Sequence, residues 1–240
     1  LSEISVNNDF LRFFPFSDPK VQVDMSLRSL GDMSDPEGEP RRRFYEGTGL
    51  SARRVFTLQQ VHSRRIVYVD GSDLPVAVSR MEGDGLICRD PSLALGVTVA
   101  DCLPMFLFHA KSGTFAALHS GWRGTGIVSD ALEAFRANWA IAPDEVEAFI
   151  GPSIGGCCYR VDEKRALDFS RRYGDAVLRK DGREFYLDLG EVNERLLRNS
   201  GVRQLVREKS CTSCDERFGS YRREGPEAFH RMLALIAFFR

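Results

Sequence analysis

From Leu93 to Ile127 the chain reads LALGVTVADCLPMFLFHAKSGTFAALHSGWRGTGI, and this stretch leaves few folds open. Leu93 to Val99, Met105 to Phe108 and Thr114 to Leu118 are short, near-continuous apolar runs, with Ala100-Asp101-Cys102 and Pro104 between the first two. Strands apolar on both faces belong to a sheet that is covered on both sides. A Gly121-Trp122-Arg123-Gly124-Thr125-Gly126 turn follows, and then a helix over about Ile127 to Trp139. Val128, Ala131, Leu132, Phe135 and Trp139 recur there at helical spacing, and Asp130 and Glu133 lie early, where the helix dipole favours them. The order strand, turn, helix puts His119 at the carboxyl end of a strand, the edge at which ligands gather in α/β sheets.

The rest of the chain extends this pattern. Val55 to Leu58, Ile66 to Val69, the segment beginning at Leu86-Ile87-Cys88, Val146 to Ile150 and Val202 to Val206 read as strands. Asp162 to Tyr173 reads as a helix stopped by Gly174, and Leu189 to Asn199 as another stopped near Gly201. Met232 to Phe239 reads as a closing buried strand, with a helix as the alternative. Signals before residue 57 are sparse: Phe10, Phe13, Phe14 and Phe16 are packing candidates, and Gly31 to Arg43 reads as a polar loop before a helix start. Gly151-Pro152-Ser153-Ile154-Gly155-Gly156 either turns backbone amides toward a ligand or forms a tight loop. There is no internal repeat, low-complexity tract or Pro/Ser linker.

Composition removes several function classes. The 240 residues are 43% apolar, enough for a substantial core, and 33 basic against 34 acidic side chains give no global electrostatic case for nucleic acid. No apolar run approaches the roughly 20 residues that span a bilayer, and the opening Leu1-Ser2-Glu3-Ile4 lacks the basic start of a secretion signal. Six cysteines are too sparse for a disulfide scaffold and suit a reduced, cytoplasmic protein. Cys211-Thr212-Ser213-Cys214 has the gap of a redox or zinc motif, but the sequence shows no second such pair to complete a four-thiol site, and Cys157-Cys158 are adjacent. The glycines at 121, 124 and 126 fit neither a dinucleotide fingerprint nor a phosphate loop.

The chemistry concentrates on His62, Cys102 and His119, which are 40 and 17 positions apart and thus no local motif. Two imidazoles and a thiolate make a sensible catalytic zinc set, since three protein ligands leave a fourth tetrahedral position for water, whose pKa then falls to roughly 7. The same residues support a metal-free reading, with Cys102 as nucleophile, His119 as base and Asp101 orienting it. A mononuclear copper site with Met105 as axial ligand is a further, less favoured one. A non-enzymatic binding module is the fourth.

Gln60-Val61-His62, Gly83-Asp84-Gly85-Leu86, Thr98 to Pro104, His119 to Gly124, Ile150 to Gly155 with Cys157-Cys158-Tyr159, Leu187-Asp188-Leu189, Cys211-Thr212 and Ser220-Tyr221-Arg222-Arg223 occur in one order. In these the chain resembles the laccase-domain proteins, also called multicopper polyphenol oxidases and peptidoglycan editing factors. The resemblance implies one α/β domain over residues 1–240, a layered α-β-β-α sandwich of mixed sheets. It implies Zn2+ at His62, Cys102 and His119, and purine nucleoside chemistry: phosphorolysis of adenosine, inosine and methylthioadenosine, and adenosine deamination. The partners implied are small nucleosides and phosphate, with no nucleic acid or membrane. An alternative within the family is an editing amidase that removes a serine from a nucleotide-linked muramic acid.

Within that framework zinc hydroxide would attack the purine carbon that bears the amino group. Arg64, Arg123, Arg222 and Arg223 are candidates to hold phosphate in a bidentate fork, Tyr221 to stack on the base, and Asp101 and Asp84 to orient a ligand or carry a proton. Ser26 to Asp32 departs from the family's usual Gly-Gly loop, and His230-Arg231 from its usual Gly-Arg. With only four histidines, the chain cannot supply the many imidazoles of a multicopper centre.

Overall fold

The computed structural model describes residues 4–6, 8–50 and 54–239; the opening Leu1 to Glu3 lies outside the described residues. In chain order it runs β1 (Ile4–Val6), β2 (Phe10–Phe13), β3 (Val21–Ser26), α1 (Glu39–Thr48), β4 (Arg54–Phe56), β5 (Ile66–Tyr68), α2 (Pro75–Val78), β6 (Gly85–Cys88), β7 (Leu93–Val99), β8 (Leu103–His109) and β9 (Thr114–Ser120). It continues with α3 (Ile127–Trp139), β10 (Glu147–Ile150), β11 (Arg160–Val161), α4 (Glu163–Tyr173), β12 (Leu178–Asp181), β13 (Glu184–Leu187), α5 (Leu189–Asn199), β14 (Gln204–Arg207), α6 (Tyr221–Glu224) and β15 (Met232–Phe238).

Two mixed six-stranded sheets lie face to face. One has the order β1-β2-β3-β15-β7-β4, parallel only where β4 meets β7; the other, β14-β10-β8-β9-β6-β5, is parallel at its two edges and antiparallel through its centre. A core of Phe13, Val23, Val97, Phe106, Phe108, Phe115, Phe149 and Ile236 fills the space between them. Outside the first sheet, α1 closes a smaller core on Phe44, Leu233 and Leu235; outside the second, α3, α4 and α5 close another on Phe135, Phe169 and Leu197. The layers are therefore helix, sheet, sheet, helix. A small antiparallel sheet, β11-β13-β12, is an addition the sequence did not announce.

The periodicity of β15 settles the choice between strand and helix at the chain's end. Met232, Ala234 and Ile236 enter the inter-sheet core while Leu233, Leu235 and Ala237 enter the core under α1, a period of two with both faces buried. β3 shows the same alternation in disguise. Val21, Val23 and Met25 face the inter-sheet core, and between them lie buried Gln22, Asp24 and Ser26. Asp24 is satisfied by Arg12 at 2.8 Å and by Gln22, so polar side chains occupy a covered face.

Two boundaries differ from the sequence reading. The polar stretch expected to stay a loop through Arg43 enters α1 at Glu39, because Pro40 falls in the first turn, where a helix needs no N–H from it. Pro104 does not delay β8, which starts at Leu103; proline is tolerated at a strand's opening, and its carbonyl accepts the Gly151 N–H at 2.9 Å. α4 and α5 are capped as their sequences suggest, Asp162 accepting from the Arg165 N–H and Asp188 from that of Glu191, each at 2.8 Å. Among the described residues no helix is long and apolar enough to cross a membrane. Phe149 packs between Phe13, tilted at a centroid distance of 5.1 Å, and Phe106, stacked at 6.3 Å. Phe149→Ala is expected to lower stability by about 3–5 kcal/mol in urea denaturation.

Candidate metal centre and its cavity

Antiparallel pairing brings the chemistry together. Cys102 stands just before β8 and His119 next to last in β9, and the register places Leu103 opposite Ser120 and Pro104 opposite His119. Asp84 reaches the same edge because Gly85 opens β6 opposite Leu118. His62 comes from a bend between β4 and β5, with a left-handed φ of 59°. The ligand atoms of His62, Cys102 and His119 all lie within 4.8 Å of one another. Cys102 Sγ is 3.9 Å from His62 Nε2, and the two imidazoles meet edge to face with centroids 4.9 Å apart. Gly121 leaves them room: a Cβ there would sit 3.0 Å from both Cys102 Sγ and His62 Cδ2.

Asp84 organises both histidines. Fully buried, its carboxylate accepts the backbone N–H groups of Val61, His62 and Ser63 at 3.3, 3.0 and 2.6 Å and the Ser63 hydroxyl at 2.7 Å. Its Oδ1 also lies 2.8 Å from His119 Nδ1, which leaves Nε2 as the atom free to bind an ion. Burial would raise the Asp84 carboxyl, but the hydrogen bonds from His119 and Ser63 prevail and hold it down at about 2. Burial acts against charge at Cys102 too, yet His119 and His62 bring its thiol down to about 6, while Asp84 and Cys102 lift His119 to about 9 against its own burial. Without a metal this is a thiolate–imidazolium pair. Iodoacetamide should therefore alkylate Cys102 of chelated protein at a rate that rises through pH about 6 and is level by pH 8, read by peptide mass mapping.

Two imidazole nitrogens and an ionisable thiol within reach of one ion form a set that could hold a metal. Met105 is not part of it. Its side chain is buried with Leu103 and Leu107 in the core under the helices, on the opposite face of β8 from Phe106 and Phe108.

The cluster opens into a cavity of about 840 Å3. Tyr221 and Arg222 line it, as does Asp101, whose φ is 80°. Both Asp101 carboxylate oxygens are engaged, Oδ1 by the Thr212 hydroxyl and Oδ2 by the Arg222 N–H, each at 2.7 Å. Arg222 also donates to the carbonyls of Cys158 and Arg160. Arg64, Arg123 and Arg223 are not among the lining residues. Arg64 clamps Asp130 on α3 through Nε and Nη2; Arg123 is exposed beside Trp122; Arg223 binds the carbonyls of Thr212, Ser213, Asp215 and Phe218. The cations that do reach the cavity, besides Arg222, are Arg41, Arg80, Arg165 and Arg231. Arg165 lies 4.0 Å over the Trp122 ring, and Arg231 4.6 Å over that of Phe229. No local motif marks Arg165: it is one of several basic residues in an amphipathic helix.

The chain is similar to a purine nucleoside phosphorylase of Deinococcus radiodurans, 34% identical over 213 residues that cover 87% of this chain and 81% of that one. It is also 32% identical to the purine nucleoside phosphorylase YlmD of Geobacillus stearothermophilus, over 91% of this chain and 84% of that protein. The crystal structure of YlmD from Geobacillus stearothermophilus superposes with a TM-score of 0.89 at 27% identity, covering the whole of both chains. The sequence pattern of the family described as multi-copper polyphenol oxidoreductase laccase matches residues 16–238 and so takes in every strand and turn that brings His62, Cys102 and His119 together, and to that family this chain belongs.

Proposed function

We propose that this protein is a zinc-dependent purine nucleoside enzyme that carries out phosphorolysis of adenosine, inosine or methylthioadenosine and deaminates adenosine. One observation carries the reading: three ligand atoms within 4.8 Å of one another open into a cavity walled by aromatic rings and guanidinium groups. Such walls suit a purine at one end and phosphate at the other. The relatives named purine nucleoside phosphorylase support it. The donor set suits Zn2+, with copper second, and when bound the ion supplies Lewis acidity.

The chain's own residues do the rest. Tyr159, Tyr221 and Phe229 offer faces and edges for the base, and Tyr221, half exposed, meets Phe229 edge to face at 5.1 Å at the cavity wall. Arg165, Arg222 and Arg231 hold the hydrogen phosphate anion while one of its oxygens bonds to the ribose C1′, the C1′–N bond breaks with its electron pair leaving on the purine nitrogen, and the phosphate's proton ends on the departing base. Asp84 fixes the His119 tautomer, and Asp101 fixes the turn before β8 and the start of α6. All six cysteines are free thiols, which suits work in the cytoplasm.

Base release from inosine, assayed with and without phosphate on protein of known zinc content, tests this reading. Release should require both. Arg165→Ala is expected to raise the KM for phosphate about tenfold, as loss of one charge-assisted contact, and Arg123→Ala to leave it within about twofold. Turnover that ignores phosphate and instead frees serine from a muramoyl-serine nucleotide would favour the amidase.

A further inference from the structure

Adjacent Cys157-Cys158 and the Cys211-x-x-Cys214 turn, which look unrelated in the sequence, meet in space. The four Sγ atoms lie within 4.8 Å of one another. Cys214 Sγ is 3.7 Å from that of Cys157 and 3.3 Å from that of Cys158. The absence of a second two-residue gap is therefore no bar to a four-thiol site, because neighbouring residues in a tight turn supply the other half. We propose that these four cysteines bind a second zinc ion, a structural clip separate from the cluster at His62, Cys102 and His119 and independent of which reaction that cluster performs.

The spacing suits the ion. A tetrahedron of Zn–S bonds about 2.3 Å long has sulfurs about 3.8 Å apart, so small side-chain shifts close the set. The surroundings suit thiolates. The Gly155 N–H points at Cys211 Sγ at 3.3 Å, and Gly155 has no side chain to obstruct, since a Cβ there would stand 3.2 Å from Cys157 Sγ. Zinc with four thiolates carries a net charge of about −2, which needs nearby positive charge. Arg179 donates to the Cys157 carbonyl at 3.5 Å, Arg222 to that of Cys158 at 3.1 Å, and Arg223 to those of Thr212 and Ser213 at 2.8 and 3.2 Å. Three guanidinium groups thus ring the two cysteine turns.

The clip would fasten two loops that otherwise meet through a few backbone bonds, between Ser153 and Ser210 and between Thr212 and Ser153. Those loops support the cavity. Thr212 holds Asp101, the Ile154 N–H donates to the Asp101 carbonyl at 2.9 Å, and Tyr159 follows Cys158 into the cavity wall. All four ligands close the coordination shell, which is the mark of a structural and not a reacting ion.

The test is metal content and cobalt spectroscopy of the full chain. Purified protein should hold about two zinc ions per chain, falling to about one in Cys214→Ser and to about one in Cys102→Ala. Cobalt-loaded Cys102→Ala, whose four clustered thiols are intact, should show the intense thiolate charge-transfer and d–d absorption of a four-sulfur tetrahedral site. A double variant, Cys102→Ala with Cys214→Ser, should lose it. The proposal is overturned if Cys214→Ser keeps the wild-type zinc content, if cobalt-loaded Cys102→Ala lacks that spectrum, or if intact mass shows a disulfide among the four in freshly purified protein. The Cys102→Ala measurement keeps the test decisive should Cys214→Ser fail to fold, and neither readout depends on nucleoside turnover.

Discussion

Asp84→Asn is expected to weaken the metal binding proposed at His62, Cys102 and His119 by about 10- to 100-fold, read by competition with a chromophoric chelator. The ligands themselves are unchanged in this variant. An amide, however, presents an NH2 where the native carboxylate accepts N–H and O–H donors from the His62 turn and lies against the His119 ring. Asp84→Ala goes further, removing at once the acceptor of four hydrogen bonds from the His62 turn and the partner of the His119 ring, and is expected to lower stability by about 3–5 kcal/mol. Acid gives an orthogonal readout. The folded carboxyl sits at about 2, below the ordinary 3.8, so its contribution of roughly 2 kcal/mol is complete above about pH 5 and fades as pH falls from there through 2. Wild-type metal-free protein should lose that increment over this window, and Asp84→Asn should not.

If the proposed zinc-dependent reading holds, removing the ion with a chelator is expected to lower nucleoside turnover by about 10²- to 10⁴-fold and zinc to restore it. The expectation separates the two readings of Cys102. Stripped of metal, the residue is a thiolate beside a protonated His119, a pair that a cysteine hydrolase would use directly. Were the thiol the nucleophile, chelation would leave turnover intact and iodoacetamide would end it. Under the metal reading, bound zinc instead shields Cys102 from alkylation, and Cys102→Ala loses turnover and the ion together.

Much of this was open to a reader of the sequence, and the reasons differ from element to element. β7, α3 and α5 run between the residues their apolar patterns and caps suggest, because in each case local preference and burial agree. His62, Cys102 and His119 stood out since each is a rare, ligand-bearing side chain next to a turn, and the resemblance to the laccase-domain family aligned them. β3 went unread because Gln22, Asp24 and Ser26 look like a solvent face and are in fact buried. The arginines were harder still. Arg64 and Arg123 adjoin ligand segments in sequence, yet the side chain of one turns away to Asp130 and the other is exposed beside Trp122, while Arg165 and Arg231 reach the cavity from distant segments. Proximity along the chain does not say which way a long side chain leaves the backbone. The four-cysteine cluster failed to register for a related reason, because it is assembled by β10 and β14 pairing in parallel, which sets the loops that follow them side by side.

His62 and Asp101 hold left-handed backbone conformations that side chains adopt at a cost of about 1–2 kcal/mol each. Protein groups hold both: Asp84 grips the first turn, and Thr212 and the Arg222 amide grip the second. The socket is thus finished before any ion arrives, so little of an ion's binding energy goes into ordering it, and a bound ion, which favours only the folded chain, should raise the melting temperature. Added metal should then protect the fold against heat as well as refill a chelated site, a single remedy for both losses.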